Sequence, residues 1–152
     1  MRHVQTLAAV AALLSTGLVE AATPADACTN LGEARAQLVA LIGEADAAKF
    51  DGYKAKIQAA SKALDANLAA MTGGPDAAKA DAFKPVWEAF KTTRETEIIP
   101  AVYAGDKEKA KGLASGVQAG RMKEMKATMG CPRRESAARP RGYGRRAGAR
   151  RR

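Results

Sequence analysis

The chain has 152 residues, enough for one domain of ordinary size, with 47% hydrophobic residues and a formal net charge of +9. Its single histidine is His3, inside a leader-like segment, so a processed chain carries no imidazole. That excludes Ser-His and Cys-His nucleophile pairs and imidazole ligation of zinc, copper or haem iron, and the two cysteines are too far apart for haem attachment through C-x-x-C-H.

Residues 1–22 read as a signal peptide. Arg2 and His3 give a short basic start, and Leu7 to Val19 is an apolar run rich in Ala and Leu. Val19-Glu20-Ala21 puts small residues at the two cleavage positions, with Ala22 as a near alternative. The run falls short of the ~20 residues that span a bilayer, so cleavage is expected rather than anchoring. The expected location is the periplasm or the exterior. Membrane contact is expected only through an uncleaved leader or through a weak attraction of the basic tail to lipid.

Residues 23–131 are expected to form the folded domain. The first helix is read from Thr29 to Ala48, with Leu31, Ala34, Leu38, Leu41 and Ala45 on a 3-4-3-4 seam. Thr29 or Asn30 is its expected cap, with Glu33 placed for a capping box. Asp51-Gly52 is the expected corner. A second helix follows from Tyr53 to Met71, with Tyr53, Ile57, Ala60, Leu64, Asn67 and Met71 on its seam and Leu68 beside them. A polar seam residue such as Asn67 more often fixes register than binds a ligand.

Thr72-Gly73-Gly74-Pro75-Asp76 is the clearest turn in the chain. The third helix is read from Asp76 to Tyr103, with Phe83, Trp87, Phe90, Ile98 and Ala101 inward and Arg94 in the middle of that stripe. Pro85 and Pro100 interrupt it, and each removes a backbone hydrogen bond. Gly105-Asp106 forms the next corner. The fourth helix is read from Lys107 to Met129, with Ala110, Leu113, Val117, Met122, Met125 and Met129 inward. Gly112, Gly116 and Gly120 recur every four residues and mark a weak helix. No strand pattern competes. The fold class is therefore all-α, an up-down-up-down four-helix bundle followed by a disordered basic C-terminal tail.

That tail, residues 132–152, carries nine Arg against one Glu, whereas Cys28 to Cys131 holds 15 basic and 13 acidic residues. The excess charge belongs to the tail and not to the bundle. An exported protein meets little nucleic acid, and Tyr143 is the tail's only aromatic, so a nucleic-acid partner is not expected. An out-of-frame or read-through end of a GC-rich gene accounts for this composition at least as well as a selected polycation does.

Three constellations carry candidate chemistry. Cys28 and Cys131 bracket the helical region, and oxidation in an exported chain would join the first helix to the last. With an even number of antiparallel helices, both ends lie at one end of the bundle, so a disulfide between them is expected. The same end collects Met71, Met125 and Met129. Cys28, Cys131 and these methionines could form a soft Cu(I) site, although core packing and a disulfide are the ordinary uses of such residues. Lastly, Arg94, Trp87 and, from the fourth helix, Arg121 form a candidate ligand site, in which a buried guanidinium grips an anion and Trp87 walls it. If no ligand binds, Glu97 or another acid is expected to satisfy Arg94.

The segment Trp87-Glu88-Ala89-Phe90-Lys91-Thr92-Thr93-Arg94 through Ile98-Ile99-Pro100-Ala101-Val102-Tyr103-Ala104-Gly105-Asp106, then Ala110 and on to Arg121-Met122, resembles the second half of the periplasmic four-helix sensor domain of methyl-accepting chemotaxis receptors. The resemblance covers about 45 residues closely and the first two helices by pattern only. It implies a sensor or ligand-binding module, and no ligand residues carry over from it. The receptors' second membrane span, linker and cytoplasmic coiled coil have no counterpart here. The expected function is an exported, non-catalytic, sensor-like or ligand-binding module without cofactors. Its partner would be a small anionic ligand or a receptor, with a homodimer left open. The alternative is a periplasmic Cu(I) carrier.

Overall fold

The structure is a computed structural model and describes residues 22–132. The predicted leader up to residue 21 and the tail from residue 133 lie outside the described residues. Among those described, the chain forms four antiparallel rods and no strand. The first rod is α1 (Pro24–Gly43) and the second is α2 (Phe50–Ala70). The third joins α3 (Ala77–Thr93), a π-helical turn (Arg94–Ile98) and α4 (Ile99–Tyr103). The fourth joins α5 (Lys107–Ser115) and α6 (Val117–Met129). Packing is closest between α1 and α2 and between α3 and α6, while α2 and α3 touch sparingly.

The first rod starts five residues before the sequence reading places it. Thr23 is the cap, in place of Thr29 or Asn30. Its hydroxyl accepts from the Asp26 N–H, the Asp26 carboxylate accepts from the Thr23 N–H at 2.9 Å, and Pro24 takes the first helical position. Thr29 lies inside the helix and donates to the Ala25 carbonyl. The rod also ends five residues early, which leaves Ala45 exposed and off the core. The cause is local acid chemistry. The Glu44 carboxylate accepts the N–H groups of Ala45 and Asp46, and the Asp46 carboxylate accepts that of Ala48. These side chains offer the backbone an alternative to continuing the helix. A short 3₁₀ turn, Ala47–Lys49, then leads into α2, so the corner precedes Asp51-Gly52, which sit in the first turn of α2. Phe50 enters the core and its ring lies 5.4 Å from that of Tyr103.

The core holds Leu31, Leu38, Leu41, Ile57, Leu64, Phe83, Trp87, Phe90, Ile98 and Met125, each with no exposed surface. Burial of a large apolar side chain contributes about 1.5–3 kcal/mol. This seam therefore carries most of the stability of helices whose composition is otherwise polar or alanine-rich. Asn67 is half-buried on the α2 seam, and its Nδ2 has no partner among the described residues.

Two irregularities break the heptad pattern. Pro85 is absorbed inside α3, but Pro100 is preceded by the π turn, in which the Ile99 N–H reaches back five residues to the Arg94 carbonyl. Proline has no N–H to donate, and its ring crowds the carbonyl four residues back, so the wider turn gives it room. On the fourth rod the chain breaks at Gly116. Val117, expected inward, is 44% exposed, and Gln118 is buried in its place. Gly105, with φ +80°, makes the corner between the third and fourth rods, and Gly130, with φ +70°, ends α6.

Cys28 and Cys131 are joined by a disulfide with a Cα–Cα distance of 5.6 Å, closing the ends of the first and fourth rods. No helix among the described residues is long and apolar enough to cross a membrane.

Candidate functional site

Polar groups concentrate where α2 faces the third rod. Trp87 is fully buried, and its indole N–H donates to the Asp65 carboxylate at 2.7 Å. The Lys91 ammonium donates to both Asp65 oxygens at 3.1 and 3.2 Å, and it pairs with Glu88 at 2.7 Å. Burial alone would lower the Lys91 pKa, but hydrogen bonds and charge from Glu88 and Asp65 outweigh it and raise the value.

Arg94 lies behind this cluster with 2% of its surface exposed. Its Nε and Nη2 both lie 2.9 Å from Glu95 Oε1, and Nη1 donates to the Ser61 hydroxyl at 2.9 Å. Its guanidinium stands 5.7 Å from the Trp87 ring centre. Burial lowers the Arg94 pKa, and Glu95 and Asp65 oppose that effect. The acid that satisfies Arg94 is thus its sequence neighbour Glu95, and Glu97 is exposed. Adjacent residues do not face each other on a regular α-helix. The π turn that begins at Arg94 alters the local geometry where this pair forms, and heptad counting contains no such turn.

Arg121 belongs to a different contact set. It donates to the Thr93 hydroxyl at 2.7 Å and to Gln118 Oε1 at 3.2 Å. Gln118, fully buried, donates in turn to the Phe90 carbonyl at 2.8 Å. The structure therefore brings Arg94 and Trp87 together against Ser61 and Asp65, and it holds Arg121 on the α3–α6 side. Ser61, Asp65, Lys91 and Gln118 are the functional-site partners that the sequence reading missed. Gln118 gave no signal because the break at Gly116 shifts its register. Asp65 lies one residue from the α2 seam position Leu64, which the pattern alone cannot distinguish from solvent.

A groove of about 500 Å³ opens between α2 and α3, walled by Asp65, Lys84, Glu88 and Lys91 with Leu68 and Thr72. Arg94 and Trp87 do not line it. Trp87 stands behind Asp65 and holds it through the indole N–H, while Arg94 bonds to Glu95 and Ser61.

At the disulfide end, Met71, Met125 and Met129 are buried in the core at 3, 0 and 2% exposure. The cysteines beside them are oxidised, so no thiolate is left among the described residues. A Cu(I) site there would have only thioethers to draw on. No group of three or more His, Cys, Asp or Glu side chains suited to a metal ion occurs among the described residues.

Comparison of the chain with protein-family models, with curated proteins and with solved structures finds no match.

Proposed function

We propose that this chain is an exported, non-catalytic ligand-binding module of the sensor type. The observation that carries the reading is the α2–α3 groove. It is a concavity with charged walls, and those walls are fixed by the bonds of Asp65 to Trp87 and Lys91. Preorganised polar groups around a cleft favour binding, because little ordering remains to be done when a ligand arrives. Lys84, ion-paired among the described residues only with the exposed Asp81, would turn to an anionic group, while Lys91 is held by Asp65 and Glu88. Glu88 and Asp65 would orient any donor that the ligand carries. Export is supported by the leader-like first residues and by the disulfide. The sensor reading is supported by the resemblance of the segment from Trp87 to Met122 to chemoreceptor periplasmic domains. Output would then pass through a receptor partner.

Trp87 is the only tryptophan in the chain, and its indole N–H bonds to Asp65 in the groove wall, so its emission reports on that wall. A panel of small carboxylates and aromatic acids, titrated against Trp87 fluorescence, tests the proposal. Saturable quenching or a spectral shift is expected for at least one ligand, weakened by Lys84→Gln. Flat emission across the whole panel would refute the placement of a ligand at this groove.

A further inference from the structure

A second groove, between α1 and α6, differs in kind from the first. Its cavity is about 690 Å³, and its charged lining among the described residues is Arg35, Lys123 and Lys126, with no acidic side chain. Ala119, Met122 and Ala127 supply the apolar part of the lining. Three arginines lie between the cysteines. Arg94 has Glu95 and Ser61, and Arg121 has Thr93 and Gln118. Arg35 stands apart from both. Its Nη2 donates to the Ala114 carbonyl at 3.0 Å, while its Nη1 is enclosed and has no partner among the described residues. Burial lowers its pKa, and no carboxylate opposes that shift.

An enclosed guanidinium nitrogen without an acceptor is unfavourable, and a fold ordinarily removes it. Here it is kept beside an open cavity whose rim adds two more positive charges. We propose that the α1–α6 groove binds a small organic carboxylate, gripped by Arg35 and held at the rim by Lys123 and Lys126. Met122, Ala119 and Ala127 cover the apolar body of the ligand. A guanidinium favours a carboxylate, and Nη1, closed to solvent and without an acceptor among the described residues, gains one when the side chain turns toward a ligand in the groove. The disulfide between Cys28 and Cys131 ties α1 to the end of α6, so the two walls are held at a set spacing. This site does not rest on the α2–α3 groove and shares no lining residue with it.

The test uses the full chain, with hexanoate as the probe, hexanamide as its uncharged twin and inorganic phosphate as an anion without an apolar body. Isothermal titration is expected to show saturable, single-site hexanoate binding, weaker phosphate binding and no hexanamide binding. Arg35→Gln is expected to lower hexanoate affinity by about tenfold or more, the worth of one charge-assisted hydrogen bond. Arg35 is half-buried and its loss could disturb the fold, so Lys123→Gln/Lys126→Gln, at two exposed positions, serves as the second variant. It is expected to weaken binding and to flatten its dependence on salt. Glu135, the only acidic residue after Pro132, follows the groove closely in sequence, and Glu135→Gln is expected to leave affinity unchanged. Hexanamide binding as tight as hexanoate, or unchanged affinity in the double lysine variant, overturns the site. Binding that appears only in Glu135→Gln overturns it as well, because the chain's own carboxylate would then be the occupant. Absence of binding in both the wild type and Glu135→Gln overturns it outright.

Discussion

The Arg94–Glu95 pair predicts an asymmetry between its two members. Glu95 is the more exposed, with 38% of its side-chain surface in solvent against 3% for Arg94. Intuition from exposure alone makes Glu95 the harmless position to change. The structure predicts the reverse. Glu95→Ala leaves a guanidinium enclosed with Ser61 as its remaining side-chain hydrogen-bond partner. Breaking a buried pair by removing one partner costs about 3–5 kcal/mol when the other charge is stranded. Asp65 adds some attraction, so the lower end of that range applies. Arg94→Met strands nothing comparable. Glu95 can rehydrate, the Ser61 hydroxyl still donates to the Ile57 carbonyl at 2.8 Å, and the thioether fills much of the space beside Trp87. Replacing a buried charge with an apolar group of similar reach is often close to neutral, here within about 1.5 kcal/mol. Thermal melts followed by circular dichroism measure both changes. For a domain of this size 1 kcal/mol moves Tm by about 4–8 °C, so Glu95→Ala should lose about 12 °C or more and Arg94→Met far less. A larger loss from Arg94→Met than from Glu95→Ala refutes the reasoning, because it would mean that Arg94 contributes attraction and not a charge in need of compensation.

Reduction of the Cys28–Cys131 bond frees a loop of 103 residues, and chain entropy sets an upper loss of about 4.7 kcal/mol, read from urea midpoints with and without reductant. The glycines of the fourth rod should split by sign. A Cβ at Gly116 would lie 2.9 Å from the Gly112 carbonyl, so Gly116→Ala lowers Tm, whereas Gly112→Ala and Gly120→Ala meet open space and should each add about 0.5–1 kcal/mol in thermal melts. Stability should also fall at both ends of the pH scale. Hydrogen bonds from the Thr23 hydroxyl and N–H hold the Asp26 pKa below its ordinary value, and the Asp46 N–H does the same for Glu44, so their contribution is present above about pH 4 and is lost as pH falls through the lowered values. The pKa values of Lys91 and Tyr103 are raised, so theirs is present below about pH 10 and is lost as pH rises beyond it. Tm measured from pH 2 to 11 checks both limbs, and Asp26→Asn should make the acid limb shallower.

Periodicity was a sound guide wherever the rods are regular. Leu31, Leu38, Ile57, Leu64, Phe83, Trp87 and Phe90 were all readable as inward-facing, and all are buried. The pairing of Cys28 with Cys131 followed from the even number of rods. Boundaries were less legible, because they depend on single side chains that compete for backbone N–H groups. Thr23 with Asp26 extends α1 at its start, and Glu44 with Asp46 cuts it at its end. The polar partners were the least legible. Asp65 and Ser61 lie on α2 and meet Trp87 and Arg94 only once two rods are packed, and no spacing within one helix encodes that meeting.

The two departures from the heptad are linked, and together they account for the buried polar layer. A π turn inserts an extra residue into the third rod, which rotates everything after it by about a third of a turn relative to a straight helix. A fourth rod that continued in strict register would lose its match to that rod. The fourth rod breaks at Gly116, and the first inward residue after the break, Gln118, donates to Phe90 while Arg121 donates to Thr93, both just ahead of the π turn. The Phe90 carbonyl already accepts the Arg94 N–H, so it takes two donors where the helix loosens. The two irregularities thus meet across the α3–α6 contact, where Gln118 and Arg121 donate to groups just ahead of the π turn. Pro100 favours the π turn that precedes it, and the turn in turn forms part of the setting in which Arg94 and Glu95 pair. Removing the proline tests this chain of causes at its first link. Pro100→Ala restores an N–H and should let the helix relax toward regular α geometry. That would pull Glu95 away from Arg94 and leave Gln118 without its register. Ala is the better helix former by about 3 kcal/mol in isolation. The structure nevertheless predicts that Pro100→Ala gains little stability or loses some, and that Glu95→Ala becomes less damaging in that background. A double-mutant cycle between the two positions measures the coupling, and simple additivity would show that the π turn and the ion pair are independent.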